Sequence, residues 1–142
     1  MPRLAVLGQP VAHSRSPAMQ NAALAELGLA RDWSYEAIEV APERFGELVR
    51  SLRDDDFAGV NVTVPHKLAA LALSDRASDA AREIGAANTL SFDAAGIAAE
   101  NTDGVGLIEA LPRSPNGLRA LDKVSELQEF SGLLQEAELP IE

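Results

Sequence analysis

The sequence predicts an α/β layer fold: three layers, α/β/α, around a mainly parallel twisted sheet that includes one antiparallel strand. Three observations carry this. Short β-branched or apolar runs alternate with helical patterns along the chain, which is the signature of a layered parallel sheet. Two of the runs, Arg3–Leu7 and Gly59–Val64, end on a glycine and a proline, as strands entering loops do. A late pair, Asn88–Phe92 and Ile97–Glu100, brackets Asp93-Ala-Ala-Gly96 and reads as a hairpin that adds the antiparallel strand.

Taken in order, Arg3–Leu7 is the first strand, and a loop from Gly8 to Arg15 follows it. Ser16 as N-cap and Pro17 at the first helical position open a helix. That helix carries Met19, Ala22, Ala23 and Leu27 on one side and stops near Gly28. Trp33–Val40 is the second strand. Pro42 opens a helix whose apolar face is Phe45, Leu48, Val49 and Leu52. Gly59–Val64 is the third strand, halted by Pro65. Helices are expected over Lys67–Leu73 and Asp75–Ile84, and Asp103 caps a last one over Gly104–Leu111.

Residues 1–111 therefore form one domain. Residues 112–121 are a turn-rich linker, and residues 122–142 form an acidic amphipathic helix with Val124, Leu127, Phe130, Leu134 and Ala137 at helical spacing.

Composition narrows the function. A chain of 142 residues with 46% apolar content is one ordinary domain able to build a core without staples. There are no cysteines, so disulfides, thiolate metal sites and cysteine nucleophiles are excluded. The net charge of −10 argues against nucleic acid as a partner, and half of it sits in residues 122–142, where six acids face one lysine. No stretch reaches membrane-spanning length, and the short apolar run after Arg3 is not a secretory leader. A cytoplasmic protein is the expectation.

Four segments carry chemistry. In Gly8-Gln-Pro-Val-Ala-His-Ser-Arg-Ser-Pro17, Ser14 and Ser16 stand before a helix N-terminus, where backbone N–H groups favour an anion. Ser16 alone reads as an ordinary cap, but Ser14 has no capping duty in this reading, which tilts the pair towards a carboxylate ligand. His13 reads more readily as a hydrogen-bonding prop than as a catalyst. With His13 and His66 as the only histidines and no companions at ligand spacing, no metal is assigned.

In Gly59-Val-Asn-Val-Thr-Val-Pro-His-Lys67, Asn61 and Thr63 are two apart on a strand and share a face. A bound polyol would satisfy them. Lys67 falls in the first turn of a helix, where a cation opposes the dipole, and a lysine held there suits proton transfer. Gly85-Ala-Ala-Asn-Thr89 starts a strand with Asn88, a residue strands disfavour. In Glu100-Asn-Thr-Asp-Gly104, Asp103 is a helix cap or a partner for Lys67. Gly104-Val-Gly106-Leu-Ile-Glu109 imitates the start of a dinucleotide fingerprint, but glutamate holds the third glycine position.

Together, in this order, the four segments resemble the signature blocks of the shikimate dehydrogenase family, including its quinate/shikimate relatives, over about residues 3–121. The resemblance implies a domain that binds shikimate or 3-dehydroshikimate, a small anionic polyol, in a cleft facing a second, NADP-binding domain. By it, Ser14 and Ser16 match carboxylate-binding serines. Thr63, Asn88 and Asp103 match hydroxyl-binding positions, with Asn61 and Thr102 lining the site. Lys67 matches the lysine that exchanges a proton with the 3-hydroxyl, Asp103 acting beside it, and Asp79 falls where the family sometimes places an acid beside the cofactor. After Gly117-Leu-Arg-Ala-Leu121 the resemblance stops. The family's nucleotide loop has no counterpart, so NADP binding by this chain alone is not expected. The rival reading is an interaction or assembly module, or a split or engineered chain, that dimerises through its tail helix.

Overall fold

A computed structural model describes residues 1–110. Six strands and five helices follow one another as β1 (Arg3–Gly8), α1 (Ser16–Glu26), β2 (Ser34–Glu39), α2 (Pro42–Asp54), β3 (Phe57–Val62), α3 (Lys67–Leu73), β4 (Arg76–Ala77), α4 (Asp79–Ile84), β5 (Thr89–Asp93), β6 (Gly96–Glu100) and α5 (Asp103–Ala110). The linker expected at 112–121 and the tail helix expected at 122–142 lie outside the described residues.

The strands make one sheet in the order β2-β1-β3-β5-β6-β4. β1 runs parallel to β2 and β3, β6 parallel to β4, and β5 antiparallel to both its neighbours. The expected single antiparallel strand is therefore β5. Because side chains alternate across a strand, β1 feeds both faces. Ala5 and Leu7 join the larger core with Phe45, Val49 and Leu52 of α2 and Ala70 of α3. Leu4 and Val6 join a smaller cluster with Val11, Tyr35 and Leu24 of α1. Helices thus cover the sheet from both sides, as the three-layer expectation requires.

α2 forms as its pattern dictates: Phe45, Val49 and Leu52 are buried, Glu43 lies in the first turn and Arg53 in the last, each favourable to the helix dipole. α1 departs from its pattern. None of its residues is buried, and Met19 and Leu27 are 63% and 71% exposed, so the expected Met19/Ala22/Ala23/Leu27 face does not pack on the core. Leu24 does that instead, because Ala-rich sequence leaves helical periodicity nearly uninformative.

The helix expected over Asp75–Ile84 is also corrected. Asp75 accepts the Ile97 N–H at 2.7 Å through its carboxylate, and its own N–H donates to the Ile97 carbonyl at 2.9 Å, so the chain enters the sheet edge as β4. The helix starts only at Asp79. Ser78 caps it, accepting the Ala81 N–H at 3.2 Å, and Gly85 closes it in the left-handed conformation at φ 77°. At the hairpin tip Asp93 pairs with Arg76 at 2.7 Å and accepts the Ala95 N–H, which holds its carboxyl below the usual range. No described helix is long and apolar enough to cross a membrane.

Candidate substrate site

The topology places the four sequence segments at one edge of the sheet. β1, β3 and β6 run parallel and finish there at Gly8, Val62 and Glu100, while antiparallel β5 begins there at Thr89. The segments after three strand ends and before one strand start therefore converge, where ligands of open α/β sheets sit.

Backbone contacts lock the first two loops together. Gly8 accepts the Val40 N–H, the Gln9 N–H donates to the Val64 carbonyl at 3.0 Å, and the Thr63 N–H donates to the Leu7 carbonyl at 2.9 Å. A Cβ on Gly8 would collide with the Thr63 methyl group, so the close approach depends on glycine. Thr63 lies one residue beyond β3, which ends earlier than the β-branched run implies, so it does not share a strand with Asn61.

Ser16 is not the cap of α1. It is the first helical residue, Arg15 holds the cap position without a side-chain bond, and Ser14 Oγ accepts the Ser16 N–H at 3.2 Å. Ser14 thus has the local role that the sequence reading denied it, and both hydroxyls sit at the α1 start. His13 is exposed.

His66 is the buried histidine, 1% exposed. Its ring stacks on Phe45 with centroids 4.6 Å apart, and Nε2 lies 2.7 Å from the Val40 carbonyl. A carbonyl only accepts, so Nε2 carries the proton and donates. Burial, partly offset by this bond, lowers the His66 pKa from 6.5. His66 anchors the start of α3 and so the position of Lys67.

Lys67 Nζ meets Asp103 Oδ2 at 2.7 Å, with the lysine side chain 19% and the aspartate 53% exposed. The carboxylate supplies the counter-charge that the helix start does not. Asp103 is the first residue of α5, not its cap: its N–H donates to Asn101 Oδ1 at 3.0 Å, and Asn101 Nδ2 donates to the Ala86 carbonyl at 2.9 Å. Asn101, 4% exposed, is a positioning residue the sequence reading passed over.

Asn88 links the parts. Its Nδ2 donates to Asp103 Oδ1 at 3.0 Å and to Thr102 Oγ1 at 2.8 Å, while its Oδ1 accepts the Thr102 N–H and the Thr89 hydroxyl, each at 3.1 Å. Asn61 is held between Tyr35, whose hydroxyl donates to Oδ1 at 2.7 Å, and Thr89, which accepts from Nδ2 at 3.1 Å. Burial pushes the Tyr35 phenol up to about 12, with a hydrogen bond donated by the Ser16 hydroxyl opposing it. Tyr35, Asn61 and Thr89 border a recess of about 160 Å³ that Gln20 and Gly59 also line.

The structure thus joins Asn61, Asn88, Thr102, Asp103 and Lys67, with Ser14, Ser16 and Thr63 on the adjoining segments. Asp79 is not joined to them. It is exposed at the start of α4 and makes no hydrogen bond or ion pair with the other predicted residues. Among the described residues no three acids or histidines gather as metal ligands.

An α/β sheet with an ammonium–carboxylate pair, amides and hydroxyls at its strand ends defines a binding domain for a small polar ligand. The family model for the shikimate dehydrogenase substrate binding domain matches residues 6–90, and the chain belongs to the shikimate dehydrogenase family. It is 50% identical to the shikimate dehydrogenase (NADP(+)) of Mesorhizobium japonicum over 101 residues, which is 71% of this chain and 35% of that protein. Against the enzyme of the same name from Acidiphilium cryptum the figures are 48% over 106 residues, 75% of this chain and 38% of that one. The solved shikimate 5-dehydrogenase of Thermus thermophilus in complex with NADP(H) and shikimate superposes with a TM-score of 0.72 at 46% identity, covering 78% of this chain and 41% of the other. The chain thus spans well under half the length of these relatives.

NADP, named in those relatives, finds no fit among the described residues. Gly104 and Gly106 lie inside α5 and not in a strand-to-helix turn, Gly106 faces open space where a Cβ would go, and the first helical residue is an acid.

Proposed function

We propose that this chain is the substrate-binding and proton-transfer half of an NADP-dependent shikimate dehydrogenase, taking shikimate or 3-dehydroshikimate. The observation that carries the reading is the Lys67–Asp103 pair at 2.7 Å with Asn88 bonded to the same carboxylate. Ser14 and Ser16, at the start of α1, take the ligand carboxylate. Thr63, Asn88 and Asp103 take ring hydroxyls, with Asn61 and Thr102 behind them. Lys67 retains ammonium hydrogens beyond the one given to Asp103; it donates to the reacting oxygen and recovers the proton when that hydroxyl is oxidised. Bound NADPH would supply the hydride for reduction of the ketone, and bound NADP⁺ would accept it in the reverse direction. Without a partner domain to hold it within reach, the isolated chain binds ligand and does not turn over.

Calorimetry with shikimate on the full chain and on Lys67→Ala, beside an NADP-reduction assay, tests this. Binding by both, without turnover, is the expected result. Absence of binding by the unmutated chain refutes the substrate reading, and turnover by the chain alone refutes the half-enzyme reading.

The exposed Met19 of α1 and Leu27 just after it favour a second reading, in which the chain is an assembly module that dimerises through residues 122–142. It predicts a dimer by light scattering that becomes a monomer when those residues are removed. A chain that is monomeric with them refutes it.

A further inference from the structure

Six side chains form one unbroken run of hydrogen bonds along the strand ends, and two of them, Tyr35 and Thr89, have none of the roles assigned above. The run goes from the Tyr35 hydroxyl to Asn61, Thr89, Asn88 and Asp103, and ends on Lys67.

The direction of every bond in it is dictated by its Lys67 end. An ammonium only donates and a carboxylate only accepts, so Asn88 must present Nδ2 to Asp103. The Thr102 backbone N–H, also donor only, places Asn88 Oδ1. Thr89 must then donate its single hydroxyl hydrogen to Oδ1, which leaves its lone pairs to accept from Asn61 Nδ2. Asn61 Oδ1 in turn needs a donor, and the Tyr35 phenol is it. An asparagine amide has a broad, two-fold terminal torsion and is not oriented by its own rotamer preference. Its orientation here comes from its neighbours. Tyr35 is 6% exposed, and Thr89 sits on β5 directly opposite Asn61 of β3, so both are held by the sheet and not by the ligand.

We propose that Tyr35 and Thr89 are positioning residues of the substrate site: they lock the Asn61 amide in one orientation, and Thr89 braces Asn88, which Asp103 and the Thr102 N–H orient, beside the Asp103–Lys67 pair before the ligand arrives. This rests on the substrate reading given above. Removing the Thr89 hydroxyl leaves Asn61 Nδ2 without its acceptor, so that amide can turn over, and leaves Asn88 Oδ1 with one donor in place of two, so that amide keeps its orientation but shifts.

The test uses the full chain labelled with ¹⁵N, in wild-type, Thr89→Val, Thr89→Ser and Tyr35→Phe forms. Two quantities are read: the side-chain amide resonances of Asn61 and Asn88, and shikimate affinity by calorimetry. Thr89→Val, which keeps the shape, should move both amide pairs and weaken shikimate about tenfold, the scale of one lost hydrogen bond, while Thr89→Ser recovers to within about twofold. Tyr35→Phe should move the Asn61 pair and weaken binding about threefold. Unmoved Asn88 resonances in Thr89→Val overturn the proposal, as does failure of Thr89→Ser to recover. If Thr89→Val does not fold, Tyr35→Phe decides: an unmoved Asn61 pair overturns the proposal. No shikimate binding by the wild type refutes the substrate reading; the amide spectra, which need no ligand, then decide positioning by themselves.

Discussion

Replacing His66 tests the idea that a buried ring, and not a surface turn, sets where α3 begins. His66 is 1% exposed, stacks on Phe45 at 4.6 Å and donates to the Val40 carbonyl at 2.7 Å. His66→Phe keeps an aromatic ring against Phe45 but strands the Val40 carbonyl, which costs about 1–3 kcal/mol. His66→Ala strands the same carbonyl and opens a cavity against Phe45, for a loss of about 3 kcal/mol or more. The wild type should also lose stability on acidification. Its folded-state His66 pKa lies below 6.5, so the unfolded chain takes up the proton first. Stability is complete above pH 6.5 and falls as pH drops through 6.5 towards the folded value, by at most about 1.4 kcal/mol per pH unit from this one group. Urea denaturation of wild type and both variants at several pH values between neutrality and the carboxylate range measures this. Equal pH dependence in wild type and His66→Phe, or a loss in His66→Ala under about 1 kcal/mol, refutes the reasoning.

Two further predictions follow from the same geometry. Gly8→Ala forces a methyl group onto that of Thr63 and to 3.2 Å from the Val64 carbonyl; it should cost about 1–3 kcal/mol in urea denaturation and weaken shikimate in calorimetry, since both site loops must part. Ser78→Ala removes the cap of α4 and should cost about 1 kcal/mol in the same measurement, with shikimate affinity unchanged because α4 carries none of the joined site residues.

Much of the site is legible along the chain because the chemistry sits in short contiguous blocks. Ser14 and Ser16 at a helix start, Lys67 after a strand and Asp103 at another helix start could be read from local rules. Tyr35, Thr89 and Asn101 could not. Thr89 follows Asn88 directly, yet a threonine opening a strand is ordinary, and Tyr35 and Asn61 are 26 residues apart in the chain. The exchange of roles between Ser14 and Ser16 turned on a single residue of helix register, which side-chain identity does not fix. β4 escaped notice because it is two residues long, and only the partner strand β6 makes it a strand.

What the sequence determined by itself is the alternation of strands and helices, the antiparallel hairpin and the set of polar residues available at loop positions, since propensity and periodicity are local properties. Tertiary structure alone decided which of those residues meet. Reversing β5 brings its first residue to the edge where β1, β3 and β6 end, and this puts Asn88 and Thr89 between Asn61 and Asp103. Strand order and register are set by burial on both faces of the sheet at once, a property of the assembled layers that no single segment carries.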